Sequence, residues 1–364
     1  MSFDMSALDE LQKKCNTRWE HLQASYVDAQ RRLQEFRELV LTEKTESQDI
    51  SVVIFGSLAR KEWTKHSDLD WSMLIDGPVD PRHTAEANRL ARRVAKEGFK
   101  QPGPTALFGK LAISQNLVHE IGGQDDSNRN LTQRLLLLLE SRAVERDDAH
   151  RRVMDGILHR YLTNDPHATA PRAIPMKVPR FLFNDVVRYW RTMCVDYANK
   201  YQNRTGDGWA IRHLKLRLSR KLIFTAGLLL CFSCDVQLYP DLKSRFRDLF
   251  STDAAEQAPV KELVEYLRNR SSRGPLESLA EVCLHFAKTS TAKAIFDAYN
   301  SFLGILRDDK QREALGEVDP ENAEHDPAFQ QSRALGRQFH EALVSLFFND
   351  HRRLGELTMH YGVF

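Results

Sequence analysis

Residues 51–75 contain the feature that most restricts how this chain can fold. Ser51 to Phe55 form a short apolar run that is rich in β-branched residues and leads directly into Gly56-Ser57. Such a run predicts a buried strand that enters a turn or the start of a helix. Ten further residues separate this turn from Asp68 to Ile75, where a second strand is expected.

Two carboxylates, Asp68 and Asp70, lie two residues apart on the second predicted strand. Residues two apart on a strand project from the same face. Carboxylates held side by side repel each other and lose hydration, so such a pair usually has a cation between its members. Oxygen ligands suit Mg²⁺ or Mn²⁺. The spacing therefore predicts a magnesium or manganese site.

The Gly-Ser turn supplies the complementary chemistry. Gly56 lets the backbone approach a phosphate closely. Ser57 offers a hydroxyl and an N–H at an expected helix N-terminus, where anions are favoured. A cation site on one strand and a phosphate-binding turn after the preceding strand together indicate a protein that handles a nucleoside triphosphate.

The rest of the first half is expected to be mainly helical. Apolar residues at mixed three- and four-residue steps predict a helix over 5–43. Asp80-Pro81 opens another helix through about residue 97, and Gly98 is its expected C-cap. Further helices are predicted at 131–144 and 146–162.

The second half of the chain has a different character. Residues 163–179 contain four prolines among small residues, which is typical of a linker, and no alternating strand pattern follows. The helices predicted beyond it cover 180–202, 209–233, 257–271, 276–304 and 329–349. The predicted division is a helical lead-in, a core, a proline-rich linker and an α-helical domain, at 1–46, 47–165, 166–179 and 180–364.

Composition excludes several classes of protein. Hydrophobic residues make up 42% of the 364 residues, enough for a real core. No stretch approaches the ~18 apolar residues of a membrane span. Five scattered cysteines argue against a disulfide framework and for a reducing compartment. A net charge of +2 gives no strong electrostatic footprint for long nucleic acid. We expect a soluble cytoplasmic protein with no membrane partner.

The segment GSLARKEWTKHSDLD resembles the signature of the DNA polymerase β-like nucleotidyltransferase superfamily. In that superfamily a strand ends in Gly-Ser and an Asp-x-Asp follows on the next strand. Within it, the segment is most similar to PII-protein uridylyltransferases and glutamine synthetase adenylyltransferases. The matching residues are Gly56, Ser57, Arg60, Glu62, Thr64, Ser67, Asp68 and Asp70.

This resemblance implies both a fold and a reaction. The fold is α/β: a small nucleotidyltransferase core with a mixed sheet, joined to the α-helical domain. The reaction moves a nucleoside monophosphate from a nucleoside triphosphate, such as ATP, to a hydroxyl acceptor and releases pyrophosphate, with Mg²⁺ or Mn²⁺ as cofactor. The residues implied for metal binding are Asp68 and Asp70, and those implied for nucleotide binding are Gly56, Ser57, Arg60 and Ser67.

The resemblance also implies a third carboxylate on a later strand. It would complete the metal site and accept the proton of the attacking hydroxyl. Glu120 is favoured, because apolar residues flank it as they would in a strand. Asp126 and Asp125, which follow Gly122-Gly123, are the alternatives.

Basic residues on the helices predicted at 180–202 and 209–233 form a further candidate. The active cleft is expected between the core and the α-helical domain. Lys215 and Lys221 are expected to bind phosphate groups if they face this cleft. Tyrosine and tryptophan side chains on the same helices would then stack on a base. The alternative interpretation is a solvated helix face whose aromatic residues belong to the core.

The sequence leaves the acceptor open. The resemblance favours an acceptor protein, whereas other branches of the superfamily use RNA or a nucleotide. The alternative function is a nucleotide-binding regulatory module, or a toxin/antitoxin partner, that binds nucleotide without turnover.

Overall fold

The computed structural model describes residues 6–42, 47–103, 107–163, 178–203, 208–242 and 258–362. Within these ranges no helix combines the length and the apolar character needed to cross a membrane. The predicted linker at 166–179 lies outside the described residues except for its last two positions.

One mixed sheet holds the strands of the described chain. The strands are β1 (Ile50–Ile54), β2 (Trp71–Ile75), β3 (Leu111–Ile113) and β4 (Arg142–Ala143). Their order is β3-β2-β1-β4. β1 runs antiparallel to both β2 and β4, whereas β2 and β3 are parallel. This mixed sheet confirms the predicted α/β class.

Helices make up most of the remaining described chain. Those before the predicted linker are α1 (Ser6–Lys14), α2 (Glu20–Thr42), α3 (Gly56–Ala59), α4 (Pro81–Lys96), α5 (Ser114–Val118), α6 (Asn128–Glu140) and α7 (Asp148–Thr163). Those after it are α8 (Arg180–Asn203), α9 (Trp209–Lys215), α10 (Lys221–Phe232), α11 (Ala258–Ser271), α12 (Pro275–Phe286), α13 (Thr289–Arg307), α14 (Asp309–Gly316), α15 (Pro327–Val344) and α16 (Arg352–Gly362). π-helical turns at Leu216–Arg220 and Ser345–Asp350 and a 3-10 turn at Ala323–His325 complete the described helical segments.

The period-two pattern of β2 separates the two faces of the sheet. Trp71, Met73 and Ile75 are buried in one apolar core together with residues of α2 and α4. The intervening residues Ser72 and Leu74 point to the opposite face, because successive strand side chains alternate. There they line a small cavity with side chains of α5 and α6.

Several predicted helix boundaries are confirmed. Asp80 caps the N-terminus of α4, since its carboxylate accepts the backbone N–H of Arg82. Gly98, at φ +73°, follows the end of the same helix, as expected for a residue in the left-handed region. Beyond the linker, α8 and α11 lie where helices are predicted.

Other boundaries differ from the prediction. The single helix expected over 5–43 is two helices, because the chain turns at Asn16, which has φ +45°. The helix expected over 131–144 ends at Glu140, since Arg142 and Ala143 pair with β1. The helix expected over 276–304 is divided between α12 and α13.

The chain divides into two compact units, each built from separate segments. A sheet unit comprises Tyr26–Asp185 and Ser233–Gly274, and a helical unit comprises Met1–Ser25, Val186–Phe232 and Pro275–Phe364. This division differs from the predicted one: the predicted lead-in at 1–46 is divided, with 1–25 in the helical unit and 26–46 in the sheet unit, and residues 180–185 and 233–274 belong to the sheet unit and not to the α-helical domain.

Two side-chain contacts explain the placement of 1–25 and of 233–274. The Trp19 indole N–H donates to Asp297 in α13 over 2.9 Å, which ties the N-terminal segment to the helical unit. The Arg268 guanidinium of α11 lies 2.6 Å from the Asp155 carboxylate of α7, within the sheet unit.

We expect His150 to make stability depend on pH. Burial lowers the pKa of His150 to about 4, and its Nε2 lies 2.7 Å from the Ser141 hydroxyl. The unfolded chain binds a proton near the ordinary value of 6.5, so the free energy of unfolding should fall as pH drops from 6.5 to 4, by up to about 3 kcal/mol. Urea unfolding at pH 7.5 and 4.5 measures the fall.

The His150→Gln variant should show a smaller fall than the wild type. His325→Gln, which changes an exposed histidine, is the control and should keep the wild-type pH dependence. An identical fall in the wild type and His150→Gln would show that this histidine does not contribute.

Candidate active site

The Gly56-Ser57 turn is held against a carboxylate. The chain leaves β1 through Phe55 and reaches Gly56 in the left-handed region, at φ +63°. A Cβ at this position would lie 2.6 Å from Asp70 Oδ2, so any other residue would have to displace that carboxylate. Both the backbone conformation and the position of Asp70 therefore favour glycine here.

The segment Asp68–Asp70 precedes β2, which begins at Trp71, so the two aspartates do not lie on the strand as predicted. The segment is nevertheless bonded to chain on both sides: the Phe55 N–H donates to the Asp70 carbonyl over 2.9 Å, and the Leu69 N–H donates to the Lys100 carbonyl over 2.8 Å. Leu69, between the aspartates, is fully buried in the core. A common direction of the two aspartate side chains stays a prediction.

A buried ionic network contacts the backbone of the turn and holds it in place. The Arg60 Nε donates to Glu62 Oε2 over 2.9 Å, and its Nη1 donates to the Glu140 carboxylate. The other oxygen of Glu140 accepts the Gly56 N–H over 3.3 Å. Glu62 and Glu140 are only 3% and 6% exposed, so their charges depend on these contacts.

Glu140 is a residue that the sequence reasoning missed. It ends a run of five leucines at the C-terminus of α6 and is followed at once by the short strand β4. An acidic residue that closes an apolar helix was the available signal, because a buried carboxylate needs a partner. Arg60 was predicted to bind nucleotide, and in the structure its guanidinium holds these two glutamates.

Ser67 shapes the loop that precedes Asp68. Its hydroxyl accepts the Thr64 N–H over 3.0 Å and lies 3.3 Å from the Thr64 hydroxyl. The Ser67 N–H donates to the Thr64 carbonyl over 2.9 Å. These contacts are within the protein, and nucleotide binding by Ser67 stays a prediction.

The candidates for the third carboxylate have different surroundings. Glu120 lies in the loop after α5 and not on a strand, where it accepts the Asn130 side-chain amide over 2.6 Å. Asp125 is exposed. Asp126 is buried, and both of its oxygens accept from the Arg134 guanidinium, at 3.1 and 2.9 Å. Asp126 is therefore occupied as an ion-pair partner, whereas Glu120 keeps its place as a prediction.

Arg134 is the centre of this second buried network. Besides Asp126 it contacts the Asp185 carboxylate at 3.0 Å and the Tyr161 hydroxyl at 2.7 Å. Tyr161 in turn donates to Asp185 over 2.6 Å, and burial raises the pKa of this tyrosine. The network joins the loop before α6 to α7 and α8, so its role is structural.

Lys215 and Lys221 belong to the helical unit and lie on either side of the π-helical turn Leu216–Arg220. Burial, and then the nearby Arg217 guanidinium, lower the pKa of Lys221 to about 8. Lys221 is therefore still mostly protonated at neutral pH. Asp68 and Asp70 belong to the sheet unit, and a contact of either lysine with nucleotide stays a prediction.

The donor set fits a cation that arrives with its substrate. No group of three or more His, Cys, Asp or Glu side chains in the described part of the chain is arranged to hold a metal. Mg²⁺ usually takes one or two carboxylates and completes its shell with water and substrate phosphates. Asp68 and Asp70, beside the turn that is predicted to bind phosphate, match that requirement.

Comparison with known proteins agrees with this geometry. Residues 33–102 match the family model of the nucleotidyltransferase domain. The chain carries a nucleotidyltransferase domain. The match covers β1, the Gly56-Ser57 turn and both aspartates, and it supports the resemblance of this segment to the polymerase β-like nucleotidyltransferase superfamily. The chain is accordingly a transferase that moves nucleoside monophosphates. No curated protein and no solved structure shows a significant match to it.

We expect Gly56→Ala to reduce nucleotidyl transfer by about 100-fold, because the new methyl group would displace the Asp70 carboxylate and catalysis tolerates little misplacement. Gly98→Ala is a matched control: its φ is +73° and an added Cβ meets no atom within 4 Å. That control carries the backbone strain, about 1–2 kcal/mol, without the clash. Initial rates with a labelled nucleoside triphosphate decide; equal losses in both variants would contradict the proposed clash.

Arg60→Lys should lower the free energy of unfolding by about 1–3 kcal/mol, because one ammonium cannot serve both buried glutamates. Arg31→Lys is the control, since Arg31 also contacts two carboxylates, those of Asp28 and Glu35, but is 64% exposed. It should change stability by less than about 0.5 kcal/mol. Urea unfolding measures both, and similar values for the two variants would argue against the buried network.

Proposed function

We propose that this transferase is metal-dependent and moves a nucleoside monophosphate from a nucleoside triphosphate to a hydroxyl group of a protein, with release of pyrophosphate. The observation that supports the proposal is the position of Asp70 beside Gly56, where a Cβ built on the glycine would lie 2.6 Å from Asp70 Oδ2. A turn suited to phosphate therefore lies next to a carboxylate suited to a divalent cation, as a metal-bound triphosphate requires.

The turn would hold the distal phosphates. Gly56 leaves room for a phosphate to approach the backbone, and Ser57 offers its hydroxyl and its N–H. Because the Gly56 N–H already donates to Glu140, the Ser57 N–H and hydroxyl are the proposed donors to a phosphate oxygen.

The aspartates would hold the cation. Asp68 and Asp70 supply carboxylate oxygens, which suit Mg²⁺ or Mn²⁺. When bound there, the ion would neutralise charge on the phosphates as it develops during the reaction.

The acceptor would react at the α-phosphorus. Its hydroxyl oxygen forms a bond to that phosphorus while the bond to the bridging oxygen of the β-phosphate breaks, and pyrophosphate leaves with the bonding electrons. The hydroxyl proton passes to a carboxylate, for which Glu120 is our candidate. Lys215 and Lys221 are the proposed additional contacts to the nucleotide.

A protein acceptor is favoured over RNA or a nucleotide for two reasons. The motif is most similar to uridylyl- and adenylyltransferases that modify proteins. The net charge of +2 also lacks the strong positive excess that binding to long nucleic acid would use.

The test is to incubate the chain with each α-labelled nucleoside triphosphate and Mg²⁺ or Mn²⁺, in the presence of cell lysate and RNA. Label should appear in a protein fraction, should require the cation, and should be absent with Asp68→Asn/Asp70→Asn. Asp9→Asn, an exposed aspartate of α1, is the matched control and should keep full activity.

Two other results would change the proposal. Label in RNA or in a small product would replace the protein acceptor. Nucleotide binding without label in any fraction would contradict transfer and favour the regulatory or toxin/antitoxin module that only binds nucleotide.

A further inference from the structure

A lysine ammonium lies on the carboxylate that is proposed to bind metal. The Lys100 Nζ is 2.8 Å from Asp68 Oδ1. That oxygen is shielded from solvent and accepts no hydrogen bond from the described residues, since the ammonium meets it at an ion-pair distance but not at a hydrogen-bonding angle. The contact therefore supplies charge compensation to Asp68.

The backbone keeps Lys100 beside the carboxylates. Its carbonyl accepts the N–H of Leu69, the residue between Asp68 and Asp70, over 2.8 Å. The preceding residue, Phe99, is 5% exposed, and the Arg32 guanidinium lies 4.0 Å from its ring centre. The lysine side chain thus starts from a fixed point next to the Asp-x-Asp segment.

The side chain itself is free to move. It is 62% exposed, whereas the Asp68 side chain is 37% exposed. An exposed ion pair of this kind contributes little net free energy and exchanges readily. A stronger cation that needs the same oxygen can therefore displace the ammonium into water.

We propose that Lys100 is a built-in counter-ion of Asp68 that a divalent cation must displace in order to bind. This inference rests on the proposed metal-dependent function and adds a regulatory role for a residue outside the motif. The ammonium compensates the carboxylate when no metal is present, and it lowers the affinity for a cation that arrives alone. A metal that arrives with a triphosphate also brings negative charge, which offers the displaced ammonium a new partner.

The test measures Mn²⁺ binding to the full chain without nucleotide. The electron paramagnetic resonance signal of free Mn²⁺ reports how much of the ion stays unbound. Lys100→Gln should bind Mn²⁺ roughly two- to five-fold more tightly than the wild type, the range that removal of an exposed ion pair allows. Lys100→Arg, which keeps the charge, should stay close to the wild type.

Lys110→Gln is the matched control. Lys110 is also exposed, and its carbonyl also accepts a backbone N–H from β2, that of Met73, over 3.1 Å. This variant should leave Mn²⁺ affinity unchanged. Thermal unfolding of every variant checks that the fold is retained.

Two results would overturn the inference, and they are distinguishable. Unchanged or weaker Mn²⁺ binding in Lys100→Gln, together with loss of binding in Asp68→Asn, would overturn the role of Lys100 alone. Wild-type affinity in Asp68→Asn would overturn both this role and the metal site of the proposed function.

Discussion

The close approach of Gly56 to Asp70 is the constraint on which the rest of the site depends. A residue without a side chain, at positive φ, leaves β1 close to the carboxylate without displacing it. The antiparallel pairing of β1 with β2 creates this proximity, because Phe55 lies opposite Asp70 one step beyond the last paired residues. The sheet therefore positions the proposed phosphate-binding turn and the proposed cation ligand together.

A buried ionic network on one side and a backbone hydrogen bond on the other hold that geometry. Glu140 links the Gly56 N–H to Arg60, and Arg60 links Glu140 to Glu62, so the turn is fixed to the end of α6. On the other side, the Leu69 N–H fixes Lys100 beside the aspartates. Removing one member of a buried ionic group costs several kcal/mol, about 3–5 kcal/mol in typical proteins. These contacts accordingly stabilise the position of the turn.

Local signals in the sequence were enough for β1, for most of β2 and for the turn at Gly56, because apolar runs and glycine punctuation depend on neighbouring residues. They did not reveal β3 or β4, and the residues of β4 were assigned to a helix. Contacts between distant segments could not be predicted. Glu140 accepts the Gly56 N–H although the two residues are 84 positions apart. Asp126 pairs with Arg134, although the residues around it in the sequence are typical of an exposed loop. The assignment of 1–25 and 233–274 likewise depends on tertiary packing that periodicity does not show.

The central claim is that Gly56-Ser57 and the aspartates bind one metal–triphosphate complex. Its most direct test is anomalous diffraction from crystals grown with Mn²⁺ and a triphosphate analogue. The analogue must resist cleavage between its α- and β-phosphates. We predict an anomalous peak bonded to Asp68 and Asp70, with phosphate oxygens on Ser57. A manganese ion elsewhere, or a triphosphate bound away from this turn, would contradict the claim.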